Sequence, residues 1–582
     1  MSFFFRRHKK TRPEPKNSPP QEPQKNFSPQ KHVVLIGFMG AGKTSVGEIL
    51  AELLGRPFVD LDDVLEDEFK STIPQVFQTL GEEAFRQKEK EVLYNLINFS
   101  NSPKVIALGG GAILNPHSRT LLKEKTHTFY LSVDAPLTLW ERITSQATPI
   151  SSRPLAQDRN KFLKLYHDRL PLYEETGIPV RAEEPPNEVA RIIAAKIFQK
   201  KPAILEVTTH KTQVLHTFFR TIDVLKALPE LVGNRRALLL LDHALNHEIA
   251  PFQEVLGSNG HIFQTLGRGE GVKTLLELNL IFEALSKNTF DRSDWLIVRG
   301  GGSLSDLGGL AAGLYKRGIK TLFLPTTLLA AVDASIGGKA ALNFQGAKNQ
   351  VGLFHLPEEV WLDGEVLFEL PEFLISEGLV EAFKTGLIAD TALLNLIVEG
   401  IEALLPRGPL GPQIQHTERS LLLEIAYRSA VAKMQIVAQD FREEKGLREI
   451  LNLGHTFGHV VESFYASSSD PVSHGRAVAL GLSVALKFSE KHLQFPRDKS
   501  LLYQRLCLRL ASDEFPPLPP EVETLRLLTQ DKKIREGLLK FVGLKKPGEP
   551  VVLQSSPVEI ASLAQEVEMS INSGELTPYQ RD

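Results

Sequence analysis

Apolar and polar positions along the first two-thirds of the chain follow two alternating rhythms. Short β-branched and aliphatic runs, such as HVVLI, PFV, KVIAL and HTFYLSV, are separated by stretches with a helical apolar period, such as SVGEILAELLG. The first kind reads as buried strand and the second as amphipathic helix. Strands alternating with helices predict a parallel α/β sheet. A second series opens near residue 203, where KKPAILEV marks a join, and continues through ALLLLD, DWLIVRGGG and KTLFLP. Beyond about Leu370 the strand signals fade into long helical patterns broken by Pro and Gly. The pattern predicts an α/β domain over 31–200, a second α/β domain over 203–366 and a mostly helical domain over 367–582. Residues 1–30 are rich in Pro, Lys, Gln and Asn. They are too poor in aliphatic residues to repay ordering, so they read as a disordered basic tail.

Composition narrows the function classes. The 582 residues, 42% hydrophobic and 24% charged, suit a soluble multidomain protein. A formal net charge of −3 gives no general attraction to nucleic acid or to an anionic membrane, so anionic substrates must be met by local basic clusters. No apolar run reaches the roughly 18 residues that span a bilayer. The single cysteine, Cys507, cannot form an internal disulfide, and within LCLRL it reads as a buried helix residue. This fits a cytoplasmic protein.

Gly37-Phe38-Met39-Gly40-Ala41-Gly42-Lys43-Thr44 matches the phosphate-loop pattern and lies between a predicted strand and a predicted helix. Its glycines let backbone amides converge on phosphate oxygens at a helix N-terminus. Lys43 is expected to neutralise the β- and γ-phosphates of ATP, and Thr44 to ligate Mg²⁺. Asp60 and Asp62 follow PFV at the end of a strand, facing the same crevice. Arg86, Gly109, Gly110, Gly111, Arg153 and Arg169 offer cations and close backbone approach. Taken singly, each of these charges would be a surface salt bridge more often than a ligand.

The second half carries Gly300-Gly301-Gly302-Ser303-Leu304-Ser305-Asp306 after a strand, where a glycine turn can admit a pyrophosphate. Gly269-Glu270-Gly271-Val272-Lys273 could meet the rest of a dinucleotide. PTTLLAAVDASIGGKAALNFQGAKNQVGLFH gathers Asp333, Lys339, Asn343, Lys348 and Asn349 among small residues, a composition suited to a polyhydroxylated anion. Glu381 and Lys384 share a helical face at i, i+3, as do His455 and His459 at i, i+4. With His474, one carboxylate and two imidazoles make a common Zn²⁺ set.

Together these motifs resemble two families. From about Lys31 to Gln199 the chain resembles shikimate kinase. The resemblance implies that Asp62, Arg86, Arg169 and Gly109 to Gly111 hold shikimate, that Asp60 assists Mg²⁺ and the acceptor hydroxyl, and that Arg153 in a lid contacts ATP. From about residue 205 to 560 it resembles 3-dehydroquinate synthase, through GGGxxxD, PTTLLAxVD with GGK, GLxE with its lysine, and LNxGHTFGH. This implies a catalytic metal, Zn²⁺ or Co²⁺, on Glu381, His455 and His474. It implies NAD⁺ on Glu270, Lys273, Gly301, Gly302, Asp306, Thr326, Thr327 and Lys348. Asp333, Lys339, Asn349, Lys384, Lys433, Arg448, Asn452, His459 and Lys532 would surround a heptulosonate phosphate. The family resemblance also suggests a homodimer through the second module.

Several positions depart from the second family: Arg476 after His474-Gly475, Ala340 after GGK, Phe344, Gly364, and one extra residue around Glu443 to Lys445. They leave two rival readings, another sugar-phosphate cyclase or an inactive scaffold for the kinase. For the first module, gluconate or a nucleoside monophosphate are alternative acceptors, against which the three arginines and GGG weigh. The reading predicts shikimate-dependent ADP formation by the isolated segment 31–200, measured in a coupled assay; absence of that dependence would overturn it.

Overall fold

The computed structural model describes residues 31–54, 56–100, 102–133, 135–145, 158–198, 203–208, 211–257, 260–267, 269–405, 416–466, 468, 471–530 and 538–579. The first sheet holds β1 (His32–Ile36), β2 (Phe58–Asp60), β3 (Val105–Ala107), β4 (Thr126–Ser132) and β5 (Ile178–Arg181). Its order is β2-β3-β1-β4-β5, and every pairing is parallel. All five residues of β1 are buried, because helices cover both faces of such a sheet.

The second sheet comprises β6 (Ala203–Thr208), β7 (Lys211–Phe218), β8 (Ala237–Asp242), β9 (Ile262–Leu266), β10 (Trp295–Gly300), β11 (Lys320–Pro325) and, later in the chain, β14 (Glu359–Asp363). It runs β6-β7-β14-β11-β10-β8-β9, parallel except for the β6–β7 hairpin at its edge. The two faces of β8 separate with period two. Ala237, Leu239 and Leu241 pack with Val224, Leu228 and Phe252 of the helices on one side. Leu238 and Leu240 join the larger core on the other. That larger core extends into the helical half, where helix His474–Leu493 lies at the centre with thirteen of its residues buried.

Two hairpins correct the sequence reading. β12 (Lys339–Phe344) and β13 (Ala347–Phe354) pair antiparallel within the small-residue segment. Gln345 and Gly346, both at positive φ, make the two-residue turn. β15 (Leu539–Lys546) and β16 (Glu549–Ser555) pair inside the stretch read as helical. The apolar runs FVGL and VVL on either side of Pro547-Gly548 were the signal for that strand pair. Cys507 is buried in helix Arg497–Leu510, and burial pushes its thiol up to about 12. Among the described residues, no helix is long and apolar enough to cross a membrane.

A buried charge cluster ties the second sheet together. Arg299, fully buried on β10, pairs with Glu248 and, at 3.1 Å, with Asp363 at the end of β14. Thr221 donates to the same Asp363 carboxylate at 2.9 Å. Removing Arg299 would leave carboxylates in the core without a counterion. Arg299→Leu is therefore expected to lower stability by about 3–5 kcal/mol. Urea unfolding followed by fluorescence would read it, because Trp295 and Trp361 lie on β10 and β14; an unchanged midpoint would refute the role given to the cluster.

Candidate active sites

The phosphate loop turns between β1 and helix Lys43–Leu54, at the C-terminal edge of the first sheet. Gly40 (φ 80°) and Gly42 (φ 83°) hold backbone conformations that side chains resist, which curls the loop. The Lys43 ammonium folds back onto the carbonyls of Gly37 (3.0 Å) and Phe38 (3.2 Å). The Thr44 hydroxyl donates to the Asp60 carboxylate at 2.8 Å. The two oxygens expected at Mg²⁺ thus meet beside the loop. The other Asp60 oxygen accepts the Asp62 amide at 3.1 Å and caps the next helix.

Asp62 faces the Gly109–Gly111 turn so closely that a side chain at Gly109 would collide with its carboxylate. Burial, with the neighbouring Asp60 charge, pushes the Asp62 carboxyl above its ordinary range. Arg86 lies against Gly111 in the same way. Arg169 donates to the Gly110 carbonyl at 3.0 Å. The structure brings these six positions, Asp62, Arg86, Gly109, Gly110, Gly111 and Arg169, together. Two further residues join them: Glu89 accepts from Arg86 at 2.8 Å, and Tyr173 donates to Gly110 at 2.6 Å. Arg153 lies outside the described residues, as does Lys532 in the second module.

In the second module, one group gathers where β10 ends. Gly301 is the N-cap of helix Gly302–Leu314. Thr327 packs on Gly301, and the Thr326 amide donates to Gly300 at 3.0 Å. Lys273 pairs with Asp306 at 2.7 Å and with the Asn349 side chain. Glu270 accepts from Ser303 (2.9 Å) and Asn343 (2.8 Å). Burial outweighs Lys273 and lifts the Asp306 carboxyl to about 6.

A second group lies deeper. Asp333, on the π-helical turn Ala330–Ala334, takes the Lys433 ammonium on its carboxylate at 2.5 Å and on its carbonyl at 2.7 Å. Wide turns of this kind recur at functional sites. Arg448 donates to Phe441 (2.9 Å) and Gly337 (3.0 Å). Lys339 pairs with Glu443 at 2.5 Å, and that carboxylate also stands 3.6 Å from Arg448. Asn452 ends the short helix Leu447–Asn452 that leads into the histidines.

The third group could hold a metal. Ligand atoms of Glu381, His455 and His474 all lie within 4.8 Å of one another. Glu381 is 1% exposed, and neither carboxylate oxygen has a well-formed hydrogen bond. Lys384 and both imidazoles nevertheless crowd it: His455 Nε2 stands 3.3 Å away and His474 Nε2 3.4 Å. Burial pushes the Glu381 carboxyl up, but Lys384 and the two imidazoles outweigh it and hold it well below the ordinary range. His455 Nδ1 faces the Leu453 carbonyl at 3.2 Å. A carbonyl only accepts, so Nε2 is left free of hydrogen as a donor atom. His474 Nδ1 meets Glu462 at 3.4 Å, and Glu462 also holds Lys348 at 2.9 Å. A buried, under-bonded carboxylate facing two imidazole nitrogens fits a divalent cation. The His459 ring packs edge-on against His455, with centroids 5.4 Å apart. Glu462 beside His474, and Glu443 in the second group, were not singled out as site residues from sequence.

Among the departures, Arg476 donates to the Glu514 carbonyl at 3.2 Å. Gly364 lies where a side chain would meet the Phe218 carbonyl and the Phe368 ring. Ala340 is buried on β12, and Phe344 is exposed at its end.

Family models match three stretches: shikimate kinase over residues 39–199, 3-dehydroquinate synthase N-terminal over 263–377, and 3-dehydroquinate synthase C-terminal over 378–534. The chain is 31% identical over 534 residues to a bifunctional shikimate kinase/3-dehydroquinate synthase of Thermotoga maritima, covering 91% of this chain and 99% of that protein. It is 34% identical over 334 residues to a 3-dehydroquinate synthase of Neisseria meningitidis serogroup C, covering 56% of this chain and 89% of the relative. A solved 2-deoxy-scyllo-inosose synthase, complexed with carbaglucose-6-phosphate, NAD⁺ and Co²⁺, shares the fold of the second module. Its TM-score is 0.54 at 22% identity, over 63% of this chain and 99% of that one.

The trio geometry generates a direct expectation. Glu381→Ala or His455→Ala should remove bound metal and the activity of the second module together, with kinase activity kept. Elemental analysis beside both assays would decide it, and full synthase activity in either variant would refute the ligand set.

Proposed function

Because the chain belongs to the bifunctional shikimate kinase/3-dehydroquinate synthase family, we propose that the residues described above carry that family's two reactions, one in each module. The protein phosphorylates shikimate with ATP to shikimate 3-phosphate. It also cyclises 3-deoxy-D-arabino-heptulosonate 7-phosphate to 3-dehydroquinate with release of phosphate. The observation that carries the residue assignment is the presence in one chain of both constellations, Thr44 on Asp60 beside the phosphate loop and the Glu381, His455, His474 trio.

In the kinase module the loop amides and Lys43 hold the phosphates, and Thr44 with Asp60 holds Mg²⁺. Asp62, Arg86 and Arg169 orient shikimate; paired arginines suit its carboxylate. Arg153 is assigned to the ATP phosphates. In the synthase module bound NAD⁺ would supply reversible hydride transfer, and Zn²⁺ or Co²⁺ on Glu381, His455 and His474 would supply polarisation of a substrate oxygen. Glu270, Lys273, Gly301, Gly302, Asp306, Thr326, Thr327 and Lys348 would bind the dinucleotide, with helix Gly302–Leu314 directing its amide end at the pyrophosphate. Glu381, His455 and His474 would hold the metal. Lys384, buried beside Glu381, supplies positive charge next to the reacting oxygen. Asp333, Lys339, Asn349, Lys433 and Lys532 would bind the sugar phosphate, with Arg448, Asn452 and His459 beside the bonds that change.

The reactions are not consecutive, so the fusion matches expression of two activities and implies no handing on of product. We assign the protein to the cytoplasm. We also assign it a homodimer through the synthase module, supported by the exposed Leu275, Leu276 and Leu280 on one helix. The test is phosphate release from the heptulosonate phosphate with NAD⁺ and Zn²⁺ or Co²⁺, and ADP formation with shikimate, in one preparation. Both activities are expected. Lys384→Met should lower synthase kcat by about 100-fold or more, as loss of a charge-stabilising group does, and leave the kinase unchanged; an active Lys384→Met enzyme would remove that residue from the mechanism.

A further inference from the structure

The helix that delivers His474 begins without its own cap. Ser473 is the capping residue, and His474, Gly475 and Arg476 are the first three helical positions. A capping serine ordinarily accepts an amide of the first turn, and a Glu or Gln at the third position returns the bond. Neither happens here. Ser473 makes no capping bond to its own helix, and the third residue is an arginine, a cation set against the positive end of the helix. Arg476 instead donates to the Glu514 carbonyl at 3.2 Å.

The missing carboxylate comes from another helix. Glu377, on helix Glu372–Ile388, accepts the Ser473 hydroxyl at 2.5 Å on one oxygen and the Gly475 amide at 2.8 Å on the other. It therefore grips both chain neighbours of His474 and brings negative charge to the helix start. The approach needs glycine at 475, where a Cβ would stand 2.9 Å from the Glu377 carboxylate and its Cα. Glu377 lies one turn before Glu381 on the same helix. One helix thus presents a carboxylate to the trio and holds the chain that carries the third member.

We infer that Glu377 is a positioning residue. It supplies from a neighbouring helix the capping carboxylate that Arg476 cannot, and it fixes His474 against Glu381 and His455. Without it the first turn is free to fray, and His474 is the first residue of that turn. The inference rests on the metal set proposed above.

The test uses the full chain, with Zn²⁺ or Co²⁺ alone titrated against a chromophoric chelator, and kinase activity recorded as the internal measure of folding. Glu377→Ala should weaken metal binding by about tenfold or more, the scale on which supporting contacts of a ligand act. Glu377→Gln should fall between. Gly475→Ala, which displaces the carboxylate, should reproduce the loss. Arg476→Glu placed in the Glu377→Ala background rebuilds the capping box within the helix and should recover most of the affinity, which a merely space-filling Glu377 would not allow. Unchanged affinity in Glu377→Ala, in a protein where His455→Ala abolishes binding, overturns the inference; so does a loss that Arg476→Glu does not recover. Metal binding that survives His455→Ala overturns the metal set itself. Should Glu377→Ala lose kinase activity, Glu377→Gln and Gly475→Ala are judged by the same outcomes.

Discussion

A carboxylate in the middle of a buried helix must be neutralised or compensated, and Glu381 lies in a helix where thirteen of seventeen residues are buried. The synthase half is arranged around that requirement. Lys384 answers it from one turn later on the same helix, His455 from the start of a second helix and His474 from the start of a third. Both histidines enter at the first residue of their helices. Their positions therefore depend on what fixes the helix starts. For His455 that is Gly454, in the left-handed conformation (φ 78°) and packed against Leu482. For His474 it is the Glu377 carboxylate. The charge that needs compensation and the group that places its partner thus stand four residues apart.

The two modules solve anion binding in the same way at different places. Each has a parallel sheet whose strands are buried on both faces, so polar groups emerge only where strands end. At the end of β1 a glycine loop opens into the helix beginning at Lys43; at the end of β10 another opens into the helix beginning at Gly302. Loop amides and a helix start are available to phosphate in both. The difference lies in what surrounds them. Beside the first, Thr44 and Asp60 provide oxygens for a small hard cation. Beside the second, Lys273 and Asp306 form an ion pair at 2.7 Å.

How much of this was legible in the sequence follows from what the motifs encode. The parallel strands stood out because fully buried strands are continuous apolar runs; helical spacing paired Glu381 with Lys384 and His455 with His459, and the resemblance to 3-dehydroquinate synthase added His474 to the trio. Three overlooked residues obeyed the same spacing. Glu89 is three residues after Arg86, Tyr173 four after Arg169, and Glu462 three after His459. Each is one turn from a residue that was identified, so the signal was present and unused. Glu443 was of another kind: it sits in a turn at φ 59°, where no periodicity predicts the direction of a side chain. Glu377 could not be read either, because its partners, Ser473 and Gly475, are about a hundred positions away. The hairpin β15–β16 was lost among helices because it is a lone strand pair between helical segments, and its short apolar runs fit either element.

The departures from family pattern weigh differently once the side chains have places. A reversed charge next to a metal ligand threatens a site only if it faces that site. Arg476 is the third residue of its helix and lies about 200° around the axis from His474, at 100° per residue. Its guanidinium accordingly reaches the Glu514 carbonyl, at 3.2 Å, and not a member of the trio. The change removes a capping partner, not a ligand, and the local cost falls on the helix start, where another carboxylate already stands. Gly364 follows the same logic: the space that a side chain would need is taken by the Phe218 carbonyl and the Phe368 ring. Neither position touches Glu381, His455 or His474. Substitutions beside a catalytic group therefore carry little information until their direction is known, and here that direction leaves the trio intact.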